Sequence, residues 1–207
     1  DKYSNVAFTK DFKTLKTISL SACISVDSKT GKVFYTNAYS GKSTSGGFTS
    51  NCVVGYIDKN YSRKEQTLET VQPLKSGWAF VYCTEVCRIG TSLIFNYGTN
   101  SRPSASGLGD NQNWSQKYAY SNDDGATWVI VTLGCGENVL NANYDDIDSF
   151  GSNNGKYIVY AEFDTCYKFL IFTSTTQYTV YETSKSNYYR GDMFYLNEAW
   201  YIISVWG

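Results

Sequence analysis

The sequence predicts an all-β domain built from repeated antiparallel hairpins, and three observations carry that prediction. Among 207 residues, 19 Tyr, 11 Phe and 5 Trp stand beside abundant Ser, Thr, Asn and Gly, with only 2 Pro and 1 Met. Aromatic and β-branched side chains suit pleated surfaces, whereas this balance offers little to a helix. Short apolar runs are also separated by Gly- or Asn-containing turns, the strongest short-range hairpin signal. Finally, the runs recur at intervals of one four-stranded unit. The length is enough to bury a full core, so residues 1–207 read as a single domain.

Two kinds of hairpin alternate along the chain. Outer hairpins are predicted at Asn5-Val6-Ala7-Phe8 with Leu15 to Leu20, at Val53-Val54-Gly55-Tyr56 with Asp58 following, at Lys117 to Tyr120 with Val129 to Val131, and at Phe169 to Phe172 with Thr173 following. Inner hairpins are predicted from Ile24 to Tyr35 around Thr30-Gly31, and from Ala79 to Tyr97 around Ile89-Gly90. Two more run from Ile147 to Tyr160 around Asn154-Gly155, and from Met193 to Trp206 around Asn197.

The third outer hairpin carries the most specific motif in the chain. Residues Ser121-Asn122-Asp123-Asp124-Gly125-Ala126-Thr127-Trp128 match every fixed position of S-x-D-x-G-x-T-W. Asp and Ser make local side-chain turns and Gly supplies positive φ. The stretch resembles the Asp-box, or BNR repeat, of sialidase-like β-propellers. That resemblance implies a tight hairpin between the outer strands of a propeller blade, with Asp123 accepting backbone N–H bonds and Trp128 packing between neighbouring sheets. Such boxes occur on enzymes, lectins and scaffolds alike, so the motif speaks to fold and not to activity.

Spacing then predicts the architecture. From Phe8 to Tyr56, Tyr120 and Phe172 the steps are 48, 64 and 52 residues. The chain opens on an outer hairpin and closes on an inner one, so one blade would be built from both termini. The expectation is a small β-propeller of four blades, each of four antiparallel strands, closed without open edges.

The 6 cysteines follow the repeat. Cys23 and Cys135 each lie 15 residues after the equivalent aromatic residue, Phe8 or Tyr120, while Cys52 and Cys166 precede Tyr56 and Phe172 by four and six. The predicted bridges are Cys23–Cys52 and Cys135–Cys166, leaving Cys83–Cys87 as a small bridge across an inner hairpin. Disulfides imply an oxidising compartment. Two N-x-S/T triplets, at Asn60 and Asn113, agree with glycosylation on an exterior protein. The expected location is extracellular, secreted or surface-attached, with a virion surface as the alternative.

Composition also excludes chemistry. The chain has no His and a net charge of −1. The first removes Ser-His and Cys-His catalysis and His-containing zinc sites; the second leaves no basic patch for nucleic acid. No apolar run approaches the ~20 residues of a membrane-spanning helix. No cofactor and no metal site are expected, because Cys-x3-Cys lacks a second close pair and Asp145-Asp146-x-Asp148 lacks the Gly and distal Glu of a calcium loop.

Function is expected on the longest loops, at the end away from the Asp-box. These are Ser40 to Asn51 and, ranked first, Thr99 to Ser115. The candidate ligand-binding residues are Arg102, Asp110, Asn111, Asn113 and Trp114, with Tyr188, Tyr189 and Arg190 in a blade-to-blade connection. Aromatic faces beside amides, carboxylates and guanidinium groups suit sugars. The predicted function is a non-catalytic, lectin-like or receptor-binding module whose partner is a carbohydrate or glycoprotein receptor. The alternatives are a glycoside hydrolase of sialidase-like type and a structural propeller that binds other proteins. Sialidases clamp a carboxylate with three arginines, and here Arg63 and Arg88 fall at the Asp-box face. A carboxylate pair such as Glu137 with Asp146 would be needed for hydrolysis. No catalytic residue is assigned.

Overall fold

A computed structural model describes residues 23–42, 48–73, 77–102, 115–135, 147–150, 157–162, 166–184 and 191–204. The described residues form β-strands and turns, with no helix among them. The predicted hairpin over residues 5–20 lies outside the described residues.

The strands run as consecutive antiparallel meanders. The first comprises β1 (Cys23–Val26), β2 (Val33–Lys42), β3 (Phe48–Ile57) and β4 (Arg63–Val71), each paired with the next. In the second, β5 (Trp78–Cys83) and β6 (Cys87–Ile89) together line one edge of β7 (Ser92–Arg102), followed by β8 (Ser115–Ser121) and β9 (Val129–Cys135). The third is β10 (Ile147–Phe150), β11 (Tyr157–Glu162), β12 (Cys166–Phe172) and β13 (Tyr178–Ser184). A hairpin of β14 (Gly191–Leu196) and β15 (Ala199–Ser204) completes the series. The first two meanders share one hydrogen-bonded sheet, but only through the single parallel pair Phe48–Trp78.

Away from that pair the first two meanders face each other across an apolar layer. Phe34, Cys52 and Val54 of the first meet Val81, Leu93, Phe95, Tyr97 and Ala119 of the second. Alternation along β7 then sends Ile94 to its other face, where it joins Tyr118 and Leu133 against Tyr157, Leu170 and Phe172 of the third meander. The second meander is therefore buried on both faces. Close approach within the first meander requires Gly55, since a Cβ there would lie 2.4 Å from the Tyr35 ring and 2.8 Å from the Lys64 carbonyl oxygen.

Three predicted hairpin turns fall where the sequence places them, with Gly31, Gly90 and Asn197 all at positive φ; the turn predicted at Asn154-Gly155 lies outside the described residues. The loop predicted over Ser40–Asn51 is shorter than expected. β2 runs to Lys42 and β3 starts at Phe48, so strand pairing has taken up both flanks through Ser40↔Ser50, Gly41↔Thr49 and Lys42↔Phe48. In the same way β7 extends through Arg102, well into the predicted Thr99–Ser115 loop.

The cysteine pairing is corrected. Neither the Cys23–Cys52 nor the Cys83–Cys87 bridge is formed; Cys23, Cys52 and Cys83 carry free thiols. Cys23 sits opposite Thr36 and Cys52 opposite Ala38, which places them two strands apart and offset along the sheet. That separation exceeds the ~7 Å Cα limit of a disulfide. Cys83 sits opposite Tyr97 and Cys87 opposite Ile94, on opposite faces of the second meander. Cys135 and Cys166 have their backbones in β9 and β12, and their side chains lie outside the described ones.

Candidate functional site

The two ends of the strands are chemically different, and the Asp-box end is the better defined. Asp123 accepts hydrogen bonds from the Thr127 backbone N–H at 2.8 Å, the Thr127 hydroxyl at 2.6 Å and the Ser121 hydroxyl at 2.7 Å. The Thr127 hydroxyl and then its backbone N–H hold the Asp123 carboxyl at about 2, below the ordinary 3.8. The Ser121 oxygen in turn accepts the Gly125 N–H at 2.8 Å. Asp124 and Gly125 adopt φ of 54° and 87°, and Phe34 lies where a Cβ on Gly125 would be, at 2.6 Å. A side chain there is excluded twice, by conformation and by space. Trp128 then projects into the first apolar layer, edge-on to Phe95 at 5.2 Å and to Phe34 at 6.5 Å.

The turn at Asp58 has the same hydrogen-bond pattern. Asp58 accepts the Ser62 N–H at 2.9 Å through its carboxylate and the Tyr61 N–H at 2.9 Å through its carbonyl. The corresponding bonds in the intact box run from Thr127 to the Asp123 carboxylate and from Ala126 to the Asp123 carbonyl. The turn at Thr173 has no carboxylate, and its hairpin closes through the Thr173 N–H to the Gln177 carbonyl at 3.0 Å.

Box hairpins are also latched by the preceding meander. Lys64 and Gln66 donate to the Ala126 carbonyl at 2.7 and 2.8 Å, and Lys32 donates to the Asp124 carbonyl at 2.7 Å. Tyr118 donates likewise to Thr175 of the third meander at 2.9 Å. Arg88 forms a two-pronged pair with buried Asp27, at 2.6 and 2.7 Å, and reaches Asp124 at 2.7 Å. Burial alone would push the Asp27 carboxyl up, but the Arg88 and Thr30 hydrogen bonds outweigh it and hold it at about 2. Arg88 is thus committed to joining the first two meanders, as its predicted place at the Asp-box face requires. Arg63, at the start of β4, is exposed at the same end.

The longest connection between described strands, residues 103–114, leaves from the opposite end. Ser121 of β8 leads into the box, while Ser115 at its other end pairs with Thr99, so residues 103–114 join β7 to β8 away from the box. Residues 43–47 leave beside them, because Phe48 pairs with Trp78 and Trp78 with Arg102. Arg102 is the last residue of β7, with only its backbone described. Asp110, Asn111, Asn113, Trp114, Tyr188, Tyr189 and Arg190 lie outside the described residues. Asn60 is exposed in the Asp58 turn.

Sequence reasoning missed a polar layer near this end. Lys117 pairs with Glu69 at 2.5 Å, and the Tyr97 hydroxyl donates to the other oxygen of Glu69 at 3.0 Å. Burial, then the neighbouring Cys52 and Glu69, push the Tyr97 phenol far up, so it stays protonated. Burial also raises the Cys23 and Cys52 thiols, leaving no activated nucleophile in either. On the other face of β7, Asn100 is 1% exposed, and neither atom of its amide has a partner among the described residues; the Gln116 side-chain oxygen is in the same state. Buried amides normally find hydrogen-bond partners, so these side chains stand out among the described residues. No periodicity announces them, since each is one polar residue inside a strand.

Among the described residues no group of three Cys, Asp or Glu is placed to hold a metal ion, and no helix is long and apolar enough to cross a membrane. No protein-family model matches the chain, and a search of curated proteins finds no significant relative.

Proposed function

We propose that this chain is a four-bladed propeller acting as a non-catalytic recognition module, and that it contacts a glycan or glycoprotein receptor through the loops opposite the Asp-box. The three meanders correspond to three blades, and β14–β15 to the inner half of a fourth whose outer half is the predicted hairpin over residues 5–20. The observation that carries the functional reading is the division of labour between the two strand ends. At the box end the Asp27, Arg88, Asp123 and Asp124 side chains are spent on one another and on the backbone. At the other end leave the twelve-residue connection 103–114 and the shorter 43–47, from strand ends that also carry the buried Asn100 and Gln116 amides. The sequence of 103–114 contains Asp110, Asn111, Asn113 and Trp114, a set suited to stacking on a sugar and bonding its hydroxyls. An extracellular or virion-surface setting goes with this reading.

The commitment of Arg88 to Asp27 weighs against the sialidase-like alternative. With Arg63 at the same end, only Arg102 and Arg190 remain for the loop end, one short of a three-arginine clamp. A glycan array with the purified chain, followed by product analysis of every bound glycan, tests the proposal. Specific binding without cleavage is expected. Released product would establish a glycosidase, and an array without specific binding would point to the assembly role.

A further inference from the structure

We propose that Cys52 and Cys83 are the two halves of a disulfide that locks the first meander to the second. Cys52 lies in β3, fully buried, and Cys83 ends β5, half-buried, on the sheet that faces it. Their sulfurs are 3.7 Å apart, in contact but unbonded. Both side chains belong to the same apolar layer. Competing partners are less well placed. The Cys23 sulfur is directed at the Cys83 carbonyl oxygen, at 3.4 Å, and Cys87 lies on the other face of the second meander. A bond here would reinforce a junction whose backbone connection is otherwise the lone Phe48–Trp78 pair.

The chemistry balances with a small-molecule disulfide such as oxidised glutathione as the oxidant. Cys83, the more exposed of the two, loses its proton and attacks one glutathione sulfur. One glutathione thiolate leaves and takes up a proton. Cys52 then loses its proton and attacks the Cys83 sulfur of the mixed disulfide, which it already touches at 3.7 Å. The second glutathione departs as its thiol. One S–S bond is broken and one formed, and two electrons and two protons pass from the protein to the glutathione pair. The driving force of an oxidising compartment decides the direction.

The test is peptide mapping of the whole chain after equilibration in oxidised glutathione and trapping of remaining thiols with N-ethylmaleimide. Trypsin alone leaves Cys83 and Cys87 in one peptide, so cleavage at Glu85 must accompany it. The expected product is a Cys52 peptide linked to a Cys83 peptide that ends at Glu85. Cys87→Ser should leave that link intact, and Cys83→Ser should abolish it. Oxidised wild type should melt higher than reduced wild type, by on the order of 10 °C for a loop closed over a separation of 31 residues. Comparing the two redox forms of the wild type keeps the test valid if a serine variant folds poorly. Alkylated Cys52 and Cys83 after oxidation, or either one linked to Cys23, would overturn the proposal.

Discussion

Replacing Arg88 by Met would remove the guanidinium that joins the first two meanders while keeping most of the side chain's apolar stem. The Asp27 side chain is only 2% exposed, and its carboxyl is held at about 2 instead of 3.8. That difference is worth about 2.4 kcal/mol at neutral pH, of which Thr30 supplies part and Arg88 the larger part. The Arg88–Asp124 contact adds a few tenths at most, because Asp124 is 35% exposed and its charge is screened. The variant also strands a buried carboxylate, so the total loss is about 3 kcal/mol. Asp27 has a depressed pKa, so its contribution is complete above the unfolded value near 4 and disappears as pH falls through about 2. Urea unfolding of wild type and Arg88→Met should therefore differ most at about pH 6–7 and converge toward pH 2. A gap of the same size at both extremes would refute this reasoning and assign the stability to packing of the arginine stem.

The remaining predictions concern the scaffold. Trp128→Ala should cost about 3 kcal/mol, seen in urea unfolding, by emptying the space against Phe34 and Phe95. Asp123→Ala loses three hydrogen bonds at an exposed turn and should cost about 1–2 kcal/mol in the same assay. Gly55→Ala should destabilise by about 1–3 kcal/mol, since the new methyl meets the Lys64 backbone as well as the Tyr35 ring; an unchanged denaturation midpoint would contradict that crowding. Deleting residues 200–207 should cause concentration-dependent aggregation in light scattering, because β14 loses its partner.

How far the fold was legible depends on the range of the interaction that sets each feature. The hairpins at Gly31, Gly90, Asp123 and Asn197 are decided within a few residues, and turn chemistry placed them correctly. The Asp58 turn is legible for the same reason: its bonds reach no further than Ser62. The loops were overestimated because Ser, Gly and Thr in Ser40–Asn51 suggest a loop, while pairing of β2 with β3 overrides local preference. The cysteines failed for a different reason. Equivalent repeat positions identify similar places in two meanders, but say nothing of which sheet faces which. Cys52 meets Cys83 only once the first meander has stacked on the second. Arg88 with Asp27 and Tyr97 with Glu69 and Lys117 are equally invisible, since these contacts join residues 61, 28 and 48 positions apart. At the candidate site, the buried Asn100 and Gln116 are equally illegible in the sequence, since each is one polar residue inside a strand.

The most direct test of the central claim is calorimetric titration of a glycan selected on the array into wild type, Trp114→Ala and Asp123→Ala. Recognition through the loop end predicts that Trp114→Ala loses about 1–3 kcal/mol of affinity with little change in melting temperature. It also predicts that Asp123→Ala lowers the melting temperature and leaves affinity unchanged in the folded molecules. The reverse pattern, with affinity lost at Asp123 and kept at Trp114, would put recognition on the Asp-box end and contradict the account.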